Sequence, residues 1–165
     1  MAQNKTQSYK VIQNILDTEI RYHPPVMKVK TDKEGGFSSL LSYISGSNSK
    51  KQKIEMTTPV IMNNHEGEAI MEFVLPKDFN SQNTPVPSKS NVEIYESGYY
   101  AAFSYSGYTN LRKEQSVIKK GELLLEKKKI IYKNQPLLLV YNSPYSLFNR
   151  KNEILFPIEY SSNQK

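Results

Sequence analysis

The chain has 165 residues, 38% hydrophobic and 23% charged, which suits one domain or two small fused halves and excludes a disordered chain. No apolar run approaches the ~20 residues of a membrane-spanning helix, and the absence of cysteine excludes disulfides, thiolate catalysis and Cys-ligated metals. The net charge of +6 comes largely from lysine clusters in loops, or on a helix that also carries Glu114, Glu122 and Glu126. A solvated lysine face is therefore preferred to a nucleic-acid surface.

Residues 1–8 are polar and read as a flexible tail. They hold no apolar core for a secretory signal, so a cytoplasmic protein is expected, or a periplasmic or secreted one if a leader has been removed. Tyr9 to Asn14 and Thr18 to Thr31 read as strands, the second bent at His23-Pro24-Pro25. A short helix opens at Gly35-Gly36. Its apolar residues Phe37, Leu40, Leu41 and Ile44 follow i, i+3, i+4, i+7, and Gly46 is placed to cap it. Glu55 to Asn63 and Ala69 to Leu75 follow as strands around a turn at residues 65–68. Within the first of them, Thr57-Thr58-Pro59 puts a proline where a ladder donor is needed, which points to a sheet edge or bulge. Met56 and Met62 are read on one side of that strand, as core.

Asn80 to Asn91, with Pro85 and Pro87, reads as the loop at the midpoint. The pattern then restarts. Strands Val92 to Tyr95 and Tyr99 to Tyr105 precede a helix from about Thr109 to Lys128, with Leu111, Val117, Ile118, Leu124 and Leu125 on its apolar stripe. Gly121 should weaken that helix by ~1 kcal/mol relative to alanine. Leu137 to Asn142 and Glu153 to Glu159 complete the strands. Each half reads strand, strand, helix, strand, strand. The expectation is a single α+β domain over residues 9–160, built from pseudo-repeats 9–76 and 92–159 whose strands form one curved antiparallel sheet carrying both helices.

The usual catalytic signatures are missing: no P-loop, no GxGxxG, no HExxH and no nucleophile elbow. An enzyme is not expected. The two histidines, His23 and His65, do not make a zinc site. His65 is read as exposed in a turn, and His23 as structural or exposed, although a neutral imidazole there could reach a haem iron. Tyr95, Tyr99, Tyr100, Phe103, Tyr105 and Tyr108 crowd one region, as they would in a core or in a pocket for a flat apolar ligand.

Several ordered segments carry a family resemblance: Glu19-Ile20-Arg21-Tyr22 before Pro24-Pro25, Ser42 to Asn48, Ile54 to Val60, Phe73 to Pro76, Phe103 to Gly107, and Tyr141 to Pro144 followed by Asn149 to Glu153. Together they resemble the SOUL, or haem-binding-protein, family over about residues 9–159. The resemblance implies a distorted eight-stranded antiparallel β-barrel of two βαβ-type repeats flanked by two helices, similar to bacterial effector-binding domains. It also implies binding of haem or another tetrapyrrole, for carriage or buffering. The alternatives are another flat hydrophobic ligand held without iron ligation and, less favoured, a tetrapyrrole dechelatase. The positions matching the family pocket are Phe37, Leu41 and Ser42 on the first helix, and Tyr145, Ser146 and Leu147 on the loop before the last strand. Where strong haem binders can place Arg or Lys, this chain has Glu34, Ser42 and Ser146. Where some members place a histidine, it has Tyr22, which leaves His23, one residue on, as the metal-ligand candidate. The expected partner is a small hydrophobic or tetrapyrrole ligand, with no nucleic acid and no stable membrane insertion.

Overall fold

A computed structural model of the chain describes residues 5–31, 36–65, 68–88, 90–133, 135–142 and 148–161. In chain order the elements are β1 (Lys5–Thr6), β2 (Lys10–Ile15), β3 (Thr18–His23), β4 (Val26–Thr31), α1 (Gly36–Ile44), β5 (Thr57–Thr58), β6 (Val60–His65), β7 (Glu68–Val74), β8 (Ser90–Tyr95), β9 (Gly98–Ser106), α2 (Leu111–Lys127), β10 (Leu137–Val140) and β11 (Lys151–Ile158). The protein is α+β, with two helices and, apart from one short parallel pair, antiparallel strands. It forms two compact units. One contains Met1–Ser8 and Pro25–Ser97, the other Tyr9–Pro24 and Gly98–Lys165.

In the first unit the antiparallel order is β6-β7-β4-β8. One sheet face carries Met27, Val29 and Phe73, which form a core with Leu40, Tyr43 and Ile44 of α1 and with Ile54 and Leu75. The i, i+3, i+4 spacing of Leu40, Tyr43 and Ile44 puts all three on the buried side of the helix. Gly46, at φ +113°, ends the helix in the left-handed region that glycine enters freely. The proline-containing loop is tied down rather than free. The Tyr43 hydroxyl donates to the Pro85 carbonyl at 2.9 Å, and Ser49 and Val86 exchange two further hydrogen bonds.

Three expectations change here. The polar start is not a tail from residue 5 on, because β1 pairs in parallel with β5 and Gln7 N–H donates to the Thr58 carbonyl at 2.8 Å. The strand expected over Glu55 to Asn63 is two strands, β5 and β6, divided by Pro59, which has no N–H to donate and follows a cis peptide. Met56 consequently lies outside any strand and shares no strand face with Met62. The strand expected over Thr18 to Thr31 is also two. Pro24 and Pro25 interrupt the ladder, and β3 and β4 then belong to different units. Residues 66 and 67, in the expected turn, lie outside the described residues.

In the second unit the order is β2-β3-β9-β11-β10, all antiparallel. The face under α2 carries Ile20, Ala101, Phe103, Ile154, Phe156 and Ile158, which pack with Leu125. Asn110 caps α2, its side chain accepting from Lys113 N–H at 3.0 Å. The expected stripe holds at Leu125 and in part at Val117, Ile118 and Leu124. Leu111, in the first turn and ahead of the packed segment, is 67% exposed.

At Gly121, α2 packs directly against sheet side chains. A Cβ at that position would sit 2.6 Å from the Phe156 ring and 3.2 Å from Phe103. The helix accepts glycine's propensity cost because no larger residue fits. Gly121→Ala should therefore destabilise the fold by ~1–3 kcal/mol through overpacking, where propensity alone gives a gain of ~1 kcal/mol. Urea unfolding measures the sign. In the same assay Leu40→Ala, which empties a fully buried site, should cost ~2–5 kcal/mol, and Leu41→Ala on the outer helix face well under half of that.

Candidate functional site

The predicted positions on α1 occupy its outer side. Leu41 is 37% exposed and Ser42 is exposed. Phe37 is half-buried, edge-on to Phe73 with ring centroids 5.6 Å apart. One turn separates Phe37 from Leu41, so the two side chains are neighbours on one helix face. Phe37 also packs against the core cluster that holds Leu40 and Ile44, while Leu41 and Ser42 face solvent. Tyr145, Ser146 and Leu147 lie outside the described residues, as does Glu34.

His23 has a different setting. It ends β3 and is 2% exposed. Its imidazole stacks on Tyr9 with centroids 5.3 Å apart and meets Tyr100 edge-on at 5.0 Å. Its Nε2 has no hydrogen-bond partner among the described residues. Burial and then the positive charge of Arg21 push its pKa down to about 4, so the ring is neutral near pH 7.

Beside it lies an arrangement that sequence reading did not find. On the face of the second unit's sheet opposite α2, Arg21 and Glu153 are 2% and 0% exposed. They form a bidentate pair, with Nη1 donating to Oε2 and Nη2 to Oε1, both at 2.8 Å. Glu153 also accepts from the Tyr141 hydroxyl at 2.6 Å and from the Ser104 hydroxyl at 2.9 Å, and it pairs with Lys151 at 3.1 Å. The remaining Arg21 nitrogen, Nε, donates to Glu19 at 2.6 Å, and the guanidinium lies 4.0 Å over the Tyr9 ring. Burial pushes the Glu153 carboxyl up, but the Arg21 and Tyr141 hydrogen bonds and the Arg21 and Lys151 charges outweigh it and hold the pKa at about 2. Burial and the neighbouring Glu153 carboxylate push Tyr141 well above the usual phenol range. With every carboxylate lone pair engaged, this cluster has no free acceptor for a ligand.

The strand ladder explains the placement. Glu19, Arg21 and His23 alternate onto one face of β3, and across β9 and β11 the pairs Arg21↔Tyr100 and Ser104↔Glu153 continue that face. The first unit has a counterpart in Lys28, whose ammonium sits 3.0 Å from both oxygens of the buried Glu72. The two carboxylates occupy the same place in matching segments, Glu72-Phe73-Val74-Leu75-Pro76 and Glu153-Ile154-Leu155-Phe156-Pro157. That identity was the sequence signal available for the buried charges. Among the described residues no group of three or more His, Asp or Glu is arranged to hold a metal, and no helix is long and apolar enough to cross a membrane.

Comparison with known proteins places the fold. The C-terminal domain of EcmrR superposes with a TM-score of 0.62 at 10% identity, covering 93% of this chain and 99% of that one. A hydrolase from Listeria innocua gives 0.59 at 9% identity, over 87% and 92%. At such identities the likeness is one of fold alone, an α+β fold. The sequence itself is more specific. The model of the SOUL heme-binding protein family matches residues 4–157, and the chain belongs to that family. Heme-binding protein 2 from Homo sapiens is 30% identical and that from Mus musculus 28%, each over 82% of this chain and 75% of the relative.

Two pH-dependent losses of stability follow from the buried groups. His23 has a folded-state pKa depressed from 6.5 to about 4, so the unfolded chain binds the extra proton first. Its contribution is complete above about pH 6.5 and declines as pH falls towards 4. Glu153, depressed from 4.5 to about 2, contributes fully above about pH 4.5 and loses that contribution as pH falls towards 2. Denaturant unfolding across pH should show both slopes, and His23→Phe should remove only the upper one. Arg21→Ala, which leaves a buried carboxylate without its main partner, should cost ~3–5 kcal/mol at pH 7.

Proposed function

We propose that the chain binds haem or a related tetrapyrrole on the apolar strip of α1, with Phe37, Leu41 and Ser42 at the ring and residues 145–147 as the second wall, and that it serves as a carrier or buffer rather than an enzyme. Membership of a heme-binding family supports the ligand class. The observation that carries the site is the contrast within one helix turn, where Leu40 is fully buried and Leu41 next to it is 37% exposed. Such a strip gains free energy by covering a flat apolar ring, at roughly 25 cal/mol per Å² removed from water. The iron would supply the colour and redox chemistry of the bound group. This chain's part is to hold the ring and leave the propionates at the solvent edge, where exposed lysines add little.

The rim fits the ring better than it fits the iron. It offers no imidazole, and His23 is sealed between two tyrosine rings. The favoured reading is hydrophobic capture with at most weak axial coordination. The same site would accept another flat hydrophobic molecule without iron. Titrations with haemin and with iron-free protoporphyrin, followed by Soret absorbance and by fluorescence quenching, separate these readings. We expect similar micromolar or weaker affinities for the two. Leu41→Asp should weaken both about tenfold or more, and His23→Ala should change haemin affinity less than about tenfold. A hundredfold loss with His23→Ala, together with loss of a low-spin spectrum, would make His23 the ligand. Unchanged binding in Leu41→Asp would remove α1 from the site.

A further inference from the structure

We propose a second ligand site, on the second unit alone, that takes an anionic amphiphile: an aliphatic or flat apolar molecule ending in a carboxylate. A cavity of about 600 Å³ lies between the β2–β3 hairpin and the segment leaving α2. Its volume falls in the ~300–1,000 Å³ range of small-molecule clefts. One side of it is apolar, formed by Ile15, Ile20, Ile130, Ile158 and Tyr160, and the exposed amides Gln13 and Asn14 complete the lining. Among the described residues, the charged groups lining it are Lys128 and Lys129, and no carboxylate does so.

The ordinary account of lysines at a helix C-terminus is that they offset the helix dipole and its open carbonyls. Three of the last four carbonyls are already taken. Leu124, Leu125 and Glu126 accept from the backbone N–H groups of Lys128, Ile130 and Lys129, each at 2.9 Å. Both lysine side chains are exposed, and neither makes an ion pair among the described residues. They are two unpaired cations beside an apolar hollow.

Leu16 is the second observation. It stands at the hairpin tip, 80% exposed, with φ +53°, in a conformation that glycine or asparagine adopts at lower cost. It lines this cavity and also a second cleft of about 390 Å³ shared with Leu123, Lys120 and Lys127, where Asp17 is the one carboxylate among the described lining residues. An exposed leucine between two lysine-edged clefts matches a ligand with an apolar body and an anionic head. The apolar part displaces water from the isoleucine walls, and the head pairs with the lysines.

The test uses the intact chain and dodecanoate below its micellar concentration, followed by calorimetry and by isoleucine methyl shifts. Dodecanoate should bind and shift Ile15, Ile130 and Ile158 while leaving Ile44 of α1 unmoved. The cationic analogue dodecyltrimethylammonium should not bind. Lys128→Glu with Lys129→Glu, both at exposed positions, should weaken dodecanoate about tenfold or more with unchanged circular dichroism, and the double arginine variant should retain binding. The site is overturned if dodecanoate fails to bind the wild type, if the cationic analogue binds equally, or if the charge reversal changes nothing. Binding confined to anionic phosphatidylserine vesicles, with no uptake of free dodecanoate, would also overturn it, in favour of a membrane-facing surface.

Discussion

A carboxylate without exposure to water is tolerable only if its charge is fully answered, and Glu153 sets that condition for the second unit. Two guanidinium nitrogens, a phenol, a hydroxyl and an ammonium all converge on it. They come from β3, β9, β11 and the residue after β10, so four adjacent strands must be in register before the charge is satisfied. A slip of one residue in any of them would turn a partner to the α2 side and strand the carboxylate. The cluster thus contributes specificity of register more than net stability. Arg21 also draws Tyr9 over its guanidinium plane, and Tyr9 in turn covers His23. His23 is thus covered by a ring that also packs on the Arg21 guanidinium.

The two units share one strand order. Both units use the same order of second, fourth and third strands of one repeat, preceded by the first strand of the other. This gives β8-β4-β7-β6 in one and β3-β9-β11-β10 in the other, with β2 added outside β3. In each, one face lies under a helix and the opposite face carries a buried Glu–cation pair, Glu72 with Lys28 or Glu153 with Arg21. The pairs have diverged in chemistry. Lysine brings a point charge to Glu72, whereas the guanidinium fork fits Glu153 bidentately and leaves its third edge for Glu19.

The fold class, the order of elements and the apolar face of α1 were legible in the sequence, because period and punctuation are local properties. Spacing put Leu40, Leu41 and Ile44 on one apolar face, and the structure buries Leu40 and Ile44 while leaving Leu41 37% exposed. What escaped was set by distant partners. Arg21 and Glu153 read as ordinary strand-surface charges until the ladder brings them together, and no local pattern distinguishes them. Tyr43 is buried as well, and its hydroxyl reaches Pro85 across the sequence. Gly121 looked like a weakness of α2 because propensity does not know of Phe156. The proline breaks were recognised, but not that they end one strand and begin another, since that depends on which neighbour each piece finds.

The exchange of first strands between repeats has a kinetic side. β4 completes its pairing only when β8 arrives, and β3 only when β9 does, so each partner waits for a segment beyond the chain's midpoint. A nascent first half leaving the ribosome holds α1 and the β6–β7 hairpin but neither finished sheet. Contacts this distant in sequence place the protein among slow-folding, high-contact-order topologies. The two strands that wait, β3 and β4, are joined by Pro24-Pro25. Prolines are the residues that discourage foreign strands from adding to an open edge.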